Sequence, residues 1–141
     1  MRDKYFLDTN IIIYSFDRSV EDKRKKAHEL INTALSDNLG IISYQVIQEF
    51  INVATKKFLT PLSLNDCRLY LNRVLSPLCE IFPSINLYMA GIELMENTGF
   101  SFYDSIIIAS ALQGGCKTLY SEDMQHERVV LGLMIINPFL N

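Results

Sequence analysis

Lys4-Tyr5-Phe6-Leu7-Asp8-Thr9-Asn10-Ile11-Ile12-Ile13 reads as a short buried strand that ends on a carboxylate and runs at once into a second apolar segment, a helix or a turn. A strand this apolar is normally covered on both faces, which is the habit of parallel sheets. A carboxylate between Leu7 and the Ile11–Ile13 run is therefore no surface decoration, because burying a charge is costly unless something answers it.

The rest of the chain alternates in the same way. Helical spacing of Ala27, Leu30, Ile31, Ala34 and Leu35 predicts a helix from 19 or 20 to 37, followed by a strand over 39–43. A second helix, over 44–58, buries Val46, Ile47, Phe50, Ile51 and Ala54. Thr60-Pro61 breaks the chain, Ser63 and Asp66 look like a capping box, and Ser76-Pro77 is expected to end the helix they open. A short strand over 79–82 follows, then helices over 85–97 and 102–113, then strands over 118–121 and 133–136. Strands alternating with helices imply an α/β fold of three layers, α/β/α, with a central parallel sheet of about five strands. Residues 1–141 are expected to form one domain.

Composition narrows the function. No apolar run approaches the roughly 18 residues of a membrane span, and Met1-Arg2-Asp3-Lys4 leads directly into the first strand, so no secretory signal is expected. Cys67, Cys79 and Cys116 are odd in number and form no C-x-x-C pair, which points to free thiols in the cytoplasm. A net charge of −3 counts against nucleic acid, whose usual protein footprint is basic. Acidic residues gathered around a metal would lessen that objection.

In an open parallel sheet, ligands bind beyond the carboxyl ends of the strands, where strand order reverses. Asp8 ends the first strand, Glu122 and Asp123 follow the strand ending at Ser121, Glu49 lies early in the second helix, and Asp104 lies in the first turn after Ser101. Four acidic side chains from distant parts of the chain are therefore expected to share one crevice. Two carboxylates about 4 Å apart repel by roughly 4 kcal/mol at an effective dielectric of 20, so such a cluster calls for a hard cation. All-oxygen ligation selects Mg²⁺ or Mn²⁺, and such ions support in-line displacement at a phosphodiester by activated water. Taken singly, Asp104 completes a capping box, Glu49 is a solvated charge and Asp123 is a turn residue. Asp8 is expected to have no capping role.

Leu7-Asp8-Thr9-Asn10, Ser43-Tyr44-Gln45-Val46-Ile47-Gln48-Glu49, Phe102-Tyr103-Asp104-Ser105 and Tyr120-Ser121-Glu122-Asp123-Met124-Gln125 together resemble the four acidic motifs of PIN-domain nucleases. In order and spacing the chain is most similar to VapC-type toxins of toxin–antitoxin pairs. The resemblance implies a PIN-like fold, Mg²⁺ or Mn²⁺ dependence, cleavage of RNA, a homodimer and a neutralising antitoxin. Carried over by position, Asp8, Glu49, Asp104 and Asp123 form the catalytic and metal-holding quartet. Thr9, Asn10 and Ser121 are the polar groups that orient them. The last motif departs from the family's pattern, because His126 is followed by Glu127 rather than by glycine.

Other signals carry less. Lys23-Arg24-Lys25-Lys26 is either a solvated face or a contact to RNA phosphates. His28 and His126 are too few for a histidine-based mechanism. Tyr14, Phe16, Phe100, Phe102 and Tyr103 are candidates for stacking on bases, with core packing expected for most. An aspartyl-phosphate phosphatase needs an Asp where Asn10 stands, and a receiver domain needs an Asp and a Lys where Phe82-Pro83 and Asn137-Pro138 stand. The alternative from a non-enzyme class is a catalytically inactive PIN-like module that binds RNA or protein.

Overall fold

A computed structural model describes residues 3–140; Met1 and Arg2, part of the reading of the chain's start, lie outside the described residues. The elements follow in the order β1 (Tyr5–Leu7), α1 (Thr9–Tyr14), α2 (Glu21–Asp37), β2 (Gly40–Ser43), α3 (Tyr44–Lys56) and α4 (Leu64–Tyr70). A π-helical turn (Leu71–Leu75) joins α4 to α5 (Ser76–Leu78), and then come β3 (Cys79–Ile81), α6 (Ile85–Thr98), α7 (Phe102–Gln113), β4 (Thr118–Tyr120), β5 (Val129–Val130) and β6 (Leu133–Ile136).

The sheet has the order β3-β2-β1-β4-β6-β5. Every neighbouring pair is parallel except β5 with β6. The α/β expectation therefore holds, with one strand more than the five expected and that strand antiparallel. The chain steps from β1 outward to β3, then returns to lay β4 on the other side of β1, so strand order reverses between β1 and β4. Helices α1 to α5 pack among themselves and on β2, while α6 pairs with α7, and α7 lies on β2 and β4. Right-handed crossovers place these two sets on opposite faces.

Burial explains why these segments form these elements. Gly40 to Ser43 is buried at every residue, as an inner parallel strand should be. From Ser105 to Ala111 α7 is buried all round, the mark of a helix held between two layers. Gly91 lets α6 approach it: a Cβ there would stand 2.4 Å from Cδ1 of Ile106.

Two features depart from the sequence reading. Ser76-Pro77 does not end the fourth helix; the helical path continues to Leu78. Pro77 has no N–H to give, and its ring would press on the carbonyl four residues back. The π turn before it widens the path, with the Ser76 N–H reaching Leu71 O, five residues back. The other departure is β5, tied to β6 by a two-residue loop in which Leu131 has φ 49° and Gly132 φ 84°. Such a turn favours Asn-Gly; a leucine there conceals the hairpin. Leu131 is exposed and strained, so Leu131→Asn should raise stability by about 0.5–1 kcal/mol. A thermal melt checks it, and an unchanged or lower midpoint would show the turn to be relaxed with leucine.

Candidate active site

The pairing of Leu7 with Tyr120 brings the residues that follow, Asp8 and Ser121, side by side at the point where strand order reverses. Both are buried. The Ser121 hydroxyl donates to Oδ2 of Asp8 at 2.8 Å, and the Thr9 backbone N–H donates to Oδ1 at 2.7 Å. Asp8 is thus the N-cap of α1, contrary to the expectation that it caps nothing. Its extended backbone at the strand's end turns the chain into a helix, and its carboxylate takes up a first-turn donor.

Thr9 and Asn10, the first residues of α1, reach outward from Asp8 in two directions. Thr9 Oγ1 donates to Oε1 of Glu49 at 2.8 Å, drawing in α3. Asn10 Nδ2 donates to Oδ2 of Asp123 at 3.0 Å, and its own Oδ1 accepts from the Glu122 N–H at 3.3 Å, which fastens the loop after β4. The three polar residues expected to support the acids therefore each hold one: Ser121 holds Asp8, Thr9 holds Glu49, and Asn10 holds Asp123.

Asp104 stands apart from this network. It lies half-buried in the first turn of α7, where its backbone N–H donates to Ser101 Oγ at 3.2 Å. Ser101 is the N-cap, as a capping box requires, but among the described residues its own N–H makes no reciprocal bond to the Asp104 carboxylate, so the box is only half formed. The charges of Glu49 and Asp123 both reach Asp8 and raise its carboxyl, whereas no hydrogen bond ties the Asp104 carboxylate to this group among the described residues. Among the described residues no three His, Cys, Asp or Glu side chains are grouped closely enough to hold a metal as they stand. Like charges separate, and Thr9 and Asn10 each hold one acid in place.

Burial above all pushes the Asp8 carboxyl up to about 7 from its ordinary 3.8; the Ser121 and Thr9 hydrogen bonds pull it down, and the charges of Glu49 and Asp123 push it up again. Among the described residues none of the four acids is in an ion pair. The nearby cation, Lys23, is engaged elsewhere, 2.5 Å from Oε2 of Glu122 and 3.4 Å from the Tyr14 hydroxyl. All-oxygen and short of positive charge, with Asp8 buried and Glu49 and Asp123 exposed beside it, this donor set suits a hard divalent cation.

The basic run divides. Lys23 and Arg24 are in ion pairs with Glu122 and Glu21, while Lys25 and Lys26 are exposed. Glu122, which the sequence left without a role, is the acceptor for both Tyr14 and Lys23; nothing in the spacing of residues 14, 23 and 122 announces it. His126 is structural: its Nδ1 accepts the Asn137 N–H at 2.9 Å and pins the loop to the end of β6. Of the candidate stacking residues, Phe16 packs against Phe50, Phe58 and Tyr70 and Phe100 lies under Arg128, whereas Phe102 and Tyr103 are exposed.

Comparison with known proteins adds the kinship. No match was found among curated proteins. Among solved structures the chain is similar to a toxin–antitoxin complex from Klebsiella pneumoniae, at TM-score 0.67 and 18% identity over 96% of this chain and 98% of that one. It is similar to VapBC2 from Rickettsia felis, bound to a DNA fragment from its promoter, at TM-score 0.65 and 20% identity over 93% and 96% of the two chains. It is also similar to VapC20 from Mycobacterium tuberculosis, described as a toxin that cleaves the sarcin-ricin loop, at TM-score 0.60 and 15% identity over 85% and 90%. At these identities the likeness speaks for the fold alone. The PIN domain family model matches residues 5–130, a span from β1 through β5 that takes in all four acids, and the chain accordingly belongs to the PIN domain family.

Proposed function

We propose that this chain is a divalent-metal-dependent endoribonuclease and the toxin of a toxin–antitoxin pair, with residues 1–141 acting as one domain. The observation that carries the reading is a buried Asp8 at the sheet's switch point, flanked by the charges of Glu49 and Asp123, with no cation of the described chain to answer them. PIN-family membership and the toxin–antitoxin neighbours support it. Asp8, Glu49, Asp104 and Asp123 would hold Mg²⁺ or Mn²⁺. Such an ion supplies Lewis-acid stabilisation of charge on a phosphate oxygen and activates water for in-line attack. Ser121, Thr9 and Asn10 keep three of the carboxylates in position, each through one hydrogen bond. Lys25 and Lys26, with the ion-paired Lys23 and Arg24 beside them, offer positive charge to the backbone of a bound strand. No helix among the described residues is long and apolar enough to cross a membrane, and the three cysteines are free; the proposed site of action is the cytoplasm, where the RNA is.

Wild type should cut members of an RNA panel in Mg²⁺ or Mn²⁺ and stop in EDTA. Asp8→Asn and Asp104→Asn should each lower the rate by about a hundredfold or more with the fold retained, because Asn still caps at position 8 and Ser101 remains the cap before Asp104. Expressed without an antitoxin, wild type should arrest growth and Asp8→Asn should not. Cleavage that persists in EDTA would falsify the mechanism. RNA binding with no cleavage under any metal would identify an inactive binding module.

The Asp8 carboxyl has a higher pKa folded, about 7, than unfolded, near 3.8. The folded chain holds a proton there that the unfolded chain has released, so stability falls as pH rises from about 4 to about 7, by at most about 4 kcal/mol. Asp8→Asn has no charge to bury. In EDTA its melting midpoint should therefore drop less than the wild type's between pH 5 and pH 8 and lie higher at pH 8. Mg²⁺ should raise the wild-type midpoint more, since a ligand of the native state stabilises by mass action. A variant that melts lower at pH 8 and gains as much from Mg²⁺ would make Asp8 a structural acceptor only.

A homodimer belongs to the same reading. While Leu87, Gly91 and Leu94 of α6 are buried, Ile85, Met89, Ile92 and Met95 stand exposed along one stripe of its outer side. A helix apolar on both sides has a face left to cover, and a second copy of the same stripe fits it. Sedimentation should show a dimer for wild type and a folded monomer for the double substitution Met89→Glu with Ile92→Glu; a monomeric wild type at micromolar concentration ends the idea.

A further inference from the structure

Between β3, α6 and the two helices that carry Glu49 and Asp104, α3 and α7, lies a cavity of about 220 Å³. Two pairs of aromatic rings form part of its wall: Tyr44 and Phe82 meet edge to face at 4.9 Å, and Phe102 and Tyr103 meet at 5.3 Å. All four rings are exposed at the rim. Ser43 and Gln45 also line it, and each keeps a buried side-chain oxygen, Oγ and Oε1, with no hydrogen-bond partner. The Gln45 amide is oriented by its own contact, Nε2 donating to the Tyr103 carbonyl at 3.3 Å, so the oxygen left over can only accept. The Ser43 hydroxyl can donate or accept.

Buried oxygens without partners are costly and uncommon, and two of them in one aromatic-walled cavity describe the ligand. An apolar side chain would leave both unpaired. A planar ring with an N–H donor next to an acceptor on its edge would pair both while its faces lie against the aromatic walls. Every nucleobase presents that edge. The cavity's position agrees: Gln48, on its wall, precedes Glu49; Tyr103 precedes Asp104; and Gln45 lies one turn of α3, about 5.4 Å, from Glu49.

We propose that this cavity receives one unpaired nucleobase of the RNA strand whose phosphate lies at the carboxylates, stacked on the Tyr44–Phe82 and Phe102–Tyr103 rings and hydrogen-bonded to Ser43 and Gln45. The proposal rests on the ribonuclease reading for its substrate, and it adds the element that positions the strand. Single-stranded RNA is held in this way where proteins grip splayed-out bases.

The test is binding, which needs no cleavage. Fluorescein-labelled RNA octamers A8, C8 and U8, and an abasic ribose-phosphate octamer of the same charge, are titrated by anisotropy into Asp8→Asn protein in Mg²⁺. At least one base-bearing octamer should bind about tenfold or more tightly than the abasic one. Adding Phe82→Ala or Tyr103→Ala should remove that advantage and leave the abasic affinity unchanged. Ser43→Ala should weaken the base-bearing octamer several-fold without lowering the melting midpoint, because its hydroxyl has no partner to lose in the chain. Equal binding of all octamers overturns the proposal, as does an equal loss for both kinds in Phe82→Ala. The chain has no tryptophan, so N-acetyltryptophanamide can be followed by its own fluorescence. If it binds wild type and not Phe82→Ala while no octamer outbinds the abasic one, the cavity takes a protein side chain and the proposal is overturned. Base-dependent binding without cleavage would sink the nuclease reading and leave this one standing. Cleavage without base-dependent binding would do the reverse.

Discussion

Where strand order reverses between β1 and β4, the carboxylate of Asp8 is buried against the hydroxyl of Ser121, and much of the site is built on that contact. Asp8 caps α1, so the start of α1 and the directions of Thr9 and Asn10 follow from it. Those two side chains then fix Glu49 on α3 and Asp123 after β4. The arrangement is costly to the fold. Two hydrogen bonds do not offset the burial, and the carboxyl still stands near 7. Groups kept at such expense without stabilising the chain are usually kept for what they bind.

The part of this legible in the sequence is the part that local chemistry dictates. A charge at the end of an apolar strand has few meanings, so Asp8 could be singled out from residues 4–13. The helices could be read from their stripes because one face of each is buried, as with Val46, Phe50 and Ala54 on α3. Thr9, Asn10 and Ser121 came through resemblance, and each proves to hold a different acid. What stayed hidden depends on geometry that only the folded chain sets. The Glu122 bridge joins residues separated by about a hundred positions. The π turn answers Pro77 from several residues before it, and the hairpin at Leu131 turns on a residue that ordinarily avoids that backbone.

Asp8 caps where no cap was expected, and the capping box at Ser101 is only half formed. Ser101-x-x-Asp104 has the spacing of a capping box, and the serine caps as the box requires, but the Asp104 carboxylate makes no reciprocal hydrogen bond among the described residues. Asp8 has no such spacing, yet it caps α1 because a strand's last residue already has the extended backbone an N-cap needs. A short strand running directly into a helix makes its junction residue a cap by construction. The freedom of the Asp104 carboxylate and the engagement of Asp8 are thus both results of where their elements begin.

A net charge of −3 remains the feature hardest to reconcile with RNA, and the structure narrows the difficulty. Lys23 and Arg24 are largely spent on Glu122 and Glu21, so the chain gains little of the counterion release by which basic proteins hold phosphates. Attraction for the strand has then to come from elsewhere. A cation among the carboxylates turns the local field from repelling to attracting a phosphate. Stacking contributes without regard to charge, since every base has a face to lay on an aromatic ring. An acidic protein that cuts RNA therefore needs both a place for the metal and an uncharged grip beside it. On the proposed reading, Glu49 and Gln45, one turn apart on α3, and Asp104 and Tyr103, adjacent on α7, would carry the two requirements on the same pair of helices.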